Sequence, residues 1–176
     1  MKKLTEMNAR LQIVGKSKKR YIPLSRLRTS DAVQVVADFP RRLEELFDML
    51  GDRDRCMRDS AAATLAQFAS LHPSRLLRFI PRLREALQDE SAYVRWHIVH
   101  TMGKLCELSP KRLQGVLSDL LDRLDDQNAV VQTLAAKALA RSALNNPGIV
   151  EELFRKIDRE IPRIVNNALR NPELKT

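Results

Sequence analysis

The chain has 176 residues, 44% hydrophobic and 30% charged, about the length of one ordinary soluble domain. It contains no apolar run of about 18 residues, which excludes a membrane-spanning helix. Five glycines and 5% aromatics, beside abundant Leu, Ala and Arg, favour helices over strands. The net charge of +9 is unevenly placed: residues 1–30 hold nine Lys or Arg against one acid, Glu6, leaving 22 basic and 21 acidic groups in the rest. A globally basic nucleic-acid-binding body is therefore not supported.

The chain opens "MKKLTEMNAR" and lacks the apolar centre of a secretion signal, so a cytoplasmic location is expected. Next comes "GKSKKRYIPLSRLR", whose Lys16, Lys18, Lys19, Arg20, Arg26 and Arg28 make a basic arm over residues 1–30. Cations beside Tyr21, Ile22 and Leu24 suit phosphates or an acidic protein surface. The other reading is an N-terminal cap, its apolar residues covering the body while its charges stay in water. The body, 31–176, is entered through "TSDAVQVVADFP" and begins its first helix over 40–50.

Three stretches then repeat without gaps: "LGDRDRCMRDSAAATLAQFASLHP" (50–73), "LQDESAYVRWHIVHTMGKLCELSP" (87–110) and "LDDQNAVVQTLAAKALARSALNNP" (124–147), each offset by 37 residues. A fixed period of this size is the mark of a solenoid. Each unit reads as two helices. Leu76, Phe79, Ile80, Leu83 and Leu87 have helical spacing in one first helix, as do Leu113, Val116, Leu117, Leu120 and Leu124 in the next. The turns "QDES" and "DDQN" supply capping residues, and each second helix runs to a proline that cannot continue it. The units span about 37–73, 74–110 and 111–147, with a partial fourth over 148–176. One helical pair cannot bury its apolar stripe alone, whereas stacked pairs bury a continuous core.

The stretch "FIPRLREALQDESAYVRWHIVHTMGKLCEL" resembles a HEAT repeat: Pro81 inside the first helix, Asp89 in the turn, and Val94-Arg95 opening the second helix. The resemblance covers residues 31–170. It implies an all-α, right-handed α-solenoid of about three and a half 37-residue helical hairpins, first helices on the convex side and second helices on the concave side. It also implies hydrogen bonds between neighbouring repeats through Asp52, Arg58, Asp89 and Arg95, with Gln132 standing in the Arg position of the third unit.

Aligning the repeats sorts the second helices. The core columns are 57/94/131, 61/98/135, 65/102/139 and 68/105/142. The opposite columns hold Asp59/Trp96/Thr133, Ala63/His100/Lys137 and Gln67/Lys104/Arg141. Trp96, His100 and Lys104 thus share one helix face, with Lys137 and Arg141 on the next helix, an aromatic and basic patch in the groove. Trp96 reads equally as packing between repeats, and the cations as a solvated face. His97 falls at the core edge, and Cys56 and Cys106 read as buried free thiols.

No Gly-rich phosphate loop, Gly-x-Ser-x-Gly or metal-ligand spacing is present, so neither catalysis nor a metal or cofactor is expected. Some alkylpurine DNA glycosylases have similar helical repeats with Trp and Asp in a basic groove. Trp96 is similar to their tryptophans, but this chain is shorter, its body is neutral, and only Asp59 stands as a candidate acid. The expected role is a non-catalytic scaffold or adaptor that binds another protein through the concave face. Nucleic acid held by the basic arm is the alternative. No membrane partner is expected, and the incomplete fourth unit leaves end-to-end pairing open.

Overall fold

The computed structural model describes residues 21–108, 114–145, 150–151 and 154–155. Every regular element among them is helical. The α-helices are α1 (Thr29–Asp38), α2 (Leu43–Leu50), α3 (Arg55–Leu71), α4 (Ile80–Ala86), α5 (Ala92–Cys106), α6 (Gln114–Asp122) and α7 (Ala129–Asn145). The entry segment "TSDAVQVVADFP" is thus largely a helix of its own, burying Ala32, Val33, Val35 and Val36.

The elements pack in two layers. The second helices α3, α5 and α7 lie side by side, α1 continues that row before α3, and α2, α4 and α6 form the other layer. This is the α-solenoid that the period of 37 residues predicts. Its four core columns meet in the interior: Val94 and Val131, Ala61, Ile98 and Ala135, Leu65, Met102 and Leu139, and Phe68, Leu105 and Ser142 are all buried, with Met57 partly so. Gly103 marks the closest approach of α5 and α7, where a Cβ would stand 2.8 Å from that of Ala138.

Prolines punctuate the layers as starters as much as stoppers. Pro40 and Pro73 begin short 3₁₀ turns, Pro40–Arg42 and Pro73–Phe79, where a missing N–H costs nothing. Pro81 lies in the first turn of α4 for the same reason, so the first helix of the second unit is a 3₁₀ turn followed by an α-helix. Phe47 of α2 stacks on Phe79 at 4.2 Å, tying the first-helix layer of one unit to the next. Arg82 and Arg78 lie over those rings and reach Asp48 and Glu44.

The turns carry the Asp and Arg network between repeats. Asp52, Asp89 and Asp126 each accept the backbone N–H two residues on, at 2.8, 2.8 and 2.9 Å. Across the repeats, the Arg58 guanidinium reaches Asp89 at 2.7 Å and that of Arg95 reaches Asp126 at 2.8 Å. Asp52 meets no guanidinium of another repeat among the described residues, unlike the role expected for it. The Arg position one period upstream is Tyr21, so no guanidinium is there to meet its carboxylate. Gln132 keeps the local half of the pattern: its amide donates to the Asp126 carbonyl at 2.6 Å, as Arg58 and Arg95 donate to the carbonyls of Asp52 and Asp89.

The segment before α1 meets the body. Leu24 is buried within the core, its N–H donating to Glu45 at 2.7 Å, while Arg42 donates to the Ile22 carbonyl and stacks on Tyr21. Arg26 and Arg28 stay exposed. Lys16, Lys18, Lys19, Arg20 and the fourth unit lie outside the described residues apart from short pieces near 150–155. One sequence expectation is corrected: Cys106 is buried, but Cys56 is exposed. Cys56 sits in the first turn of α3, on the same column as the exposed Tyr93 and Val130, so helical phase turns it outward.

Candidate functional site

Trp96, His100 and Lys104 follow one another at successive turns of α5, as their spacing requires. All three are half-buried, and the Trp96 indole packs partly against the core. Trp96 is thus partly covered by the core and partly at the surface. Around it stands an aromatic cluster. The Tyr93 ring is 4.9 Å from Trp96 and 4.5 Å from His97 between centroids. Sequence reasoning passed over Tyr93, although its position three residues before Trp96 was the available signal.

His97 lies between this cluster and the core. Its Nε2 is buried without a hydrogen-bond partner among the described residues. Burial, and secondarily the charge of His100, pull its pKa down to about 4, with Asp59 opposing. Asp59, the residue that shares a column with Trp96, is already committed: it accepts from the Ser91 hydroxyl at 2.9 Å and pairs with Arg55 at 3.5 Å.

Further along α5 the chemistry becomes ionic. His100 Nε2 lies 3.3 Å from the Ser70 hydroxyl of α3. Burial lowers its pKa, and the cations Lys104 and Arg141 lower it further, Glu107 acting the other way. Lys104 Nζ is held by both oxygens of Glu107 at 3.0 and 3.2 Å. Arg141 of α7 reaches the same carboxylate at 3.9 Å while most of its side chain stays exposed. Glu107 is therefore the hub of the cluster, a role its sequence position alone does not disclose. Lys137 is exposed one turn before Arg141 and makes no ion pair among the described residues. Two cations, Lys104 and Arg141, thus share one carboxylate, and Lys137 adds an exposed positive charge one turn away on α7.

No group of three or more His, Cys, Asp or Glu side chains among the described residues is arranged to hold a metal ion. No helix among them is long and apolar enough to cross a membrane.

Comparison with known proteins agrees with the architecture. A family model described as HEAT repeats matches residues 43–140. A computationally designed armadillo repeat protein for modular peptide recognition superposes with a TM-score of 0.59 at 23% identity, over 75% of this chain and 60% of its own. A designed armadillo repeat protein in complex with the peptide (KR)4 gives 0.54 at 22% identity, over 78% and 63%. The chain thus spans about 60% of the first of these designs. At such identities the likeness shows the fold alone. Among curated proteins, nothing matches. The period, the two helical layers, the Asp and Arg bridges between units and a family match over more than half of the chain lead to one conclusion: this chain belongs to the HEAT-repeat family.

Proposed function

We propose that the chain is a non-catalytic HEAT-repeat scaffold or adaptor that binds an extended, acidic segment of a partner protein. The site is the open face of the second helices, built from Trp96, His100, Lys104, Lys137 and Arg141. The observation that carries this reading is the placement of Lys104, Arg141 and His100 around one carboxylate, beside a half-exposed tryptophan. Such a surface has a large amphipathic anchor at one end and surplus positive charge at the other, the mixture that favours Trp and Arg at binding hot spots. Armadillo designs of similar fold recognise peptides, one of them the basic (KR)4. The sign of the charge here argues for a partner of opposite character.

The test is anisotropy of a labelled hexaglutamate peptide, and separately of labelled DNA and RNA, titrated with the full chain at about 50 and 200 mM salt. The peptide is expected to bind, and the paired substitution Lys137→Glu and Arg141→Glu to abolish binding without loss of helical circular dichroism. Nucleic-acid binding that survives the pair but is lost with Lys16, Lys18, Lys19 and Arg20 changed to Gln would replace this reading with the arm as a nucleic-acid tether. Trp96→Phe is expected to keep the fold and weaken the peptide.

A further inference from the structure

We infer that the anionic segment binds this cluster together with a proton, and that His100 is the group that takes the proton up. The inference rests on the reading of the site given above and concerns how its occupancy is linked to pH.

The geometry sets up the linkage. His100 lies between Ser70 on one neighbouring helix and the cations Lys104 and Arg141, the first on its own helix and the second on α7. His97 of the same helix and Glu107, just past its C-terminal end, also face it, and Glu107 is already shared by both cations. Among the described residues no other charged group acts on His100. In the free protein partial burial and two positive neighbours, which one carboxylate only partly offsets, thus disfavour protonation of the imidazole.

A bound carboxylate changes that balance directly. Seated on Lys104 and Arg141, it cancels the two charges that oppose protonation of His100 and adds a negative charge near the ring. The imidazolium then becomes a further donor to the ligand. By linkage, a site that gains a proton on binding must bind more tightly as pH falls through the range in which His100 titrates. Ser70 fits both states, because a hydroxyl donates to a neutral imidazole nitrogen and accepts from a protonated one. His97 cannot supply the effect, since its pKa of about 4 keeps it neutral throughout the assay range. His72 stands apart, at the end of α3 beside Phe68.

The experiment is calorimetric titration of the full chain with hexaglutamate at about pH 7.5, 6.5 and 5.5, in two buffers of different ionisation heat. Hexaglutamate stays largely ionised over this range. Affinity is expected to rise about threefold or more from the highest to the lowest pH, with net proton uptake read from the buffer difference. His100→Gln is expected to bind more weakly at the lowest pH, with little pH dependence and no uptake. The C2–H resonance of His100 reports the same event independently, moving to a higher midpoint when peptide is present, and this covers the case in which the variant does not fold. Binding without proton uptake, or uptake that persists in folded His100→Gln, overturns the inference and leaves the proposed site standing. Absence of hexaglutamate binding at every pH overturns both.

Discussion

His97 and Cys106 show how burial, more than any neighbour, sets the chemistry of a side chain. The folded-state pKa of His97 is depressed to about 4 from an ordinary 6.5, so the unfolded chain binds the proton more readily. The resulting stability is present above pH 6.5 and is lost as pH falls toward 4. Asp126, held below the ordinary carboxylate range mainly by Arg95, adds a loss of the same sign at lower pH. The urea midpoint is expected to fall between neutral and mildly acidic pH, and His97→Phe to flatten that slope. An unchanged slope in a folded variant would locate the acid sensitivity elsewhere. For Cys106, burial drives the thiol up to about 12, so it stays protonated and inert at neutral pH. A disulfide reagent is expected to modify Cys56 alone in the native protein, with Cys106 appearing only on denaturation. Stability conferred by a protonated Cys106 declines above pH 9, where the unfolded thiol ionises first.

Among the helices, the contacts between units decide which substitutions matter. Arg58 and Arg95 are nearly buried, with side-chain exposures of 10% and 12%, and each holds a similarly covered aspartate in the next repeat. Removing one guanidinium strands a carboxylate, at about 3–5 kcal/mol for a buried pair. Arg95→Ala leaves Asp126 with Arg123 at 3.5 Å, and Arg58→Ala leaves Asp89 its backbone donor Ser91, so the lower part of that range is expected. Gln132→Ala removes one hydrogen bond to a carbonyl and is expected to cost about 1 kcal/mol. Chemical denaturation of the three variants checks the order. Gly103 offers a sharper contrast. Alanine is the better helix former by about 1 kcal/mol. Its Cβ would nevertheless meet that of Ala138 at 2.8 Å, and overpacking costs about 1–3 kcal/mol. Gly103→Ala is expected to destabilise, and Ala138→Gly in the same chain to recover part of the loss.

Across the molecule, α3 and α5 each have neighbours on both sides of the row, α1 and α5 for the one and α3 and α7 for the other. In a solenoid, stability is roughly a sum of unit terms and interface terms, so a helix with two interfaces opens last. Amide exchange is expected to be slowest in α3 and α5. Leu24 is buried against α2 and α3, and Leu24→Ala is expected to cost about 2–4 kcal/mol, seen first as faster exchange in those helices.

Much of this organisation is written in the order of residues. The period of 37 residues, the core columns, the positions of Arg58, Asp89 and Arg95, and the shared face of Trp96, His100 and Lys104 all follow from helical phase, a local property that the chain carries along its length. What the sequence left open depends on distances between segments far apart in the chain. Whether Trp96 is covered, which carboxylate Lys104 and Arg141 share, and that Leu24 joins the core from a segment that reads as a charged arm were settled by the packing of one unit on the next. Helical phase tells which way a side chain points, and only the stacking of the units sets what it meets there.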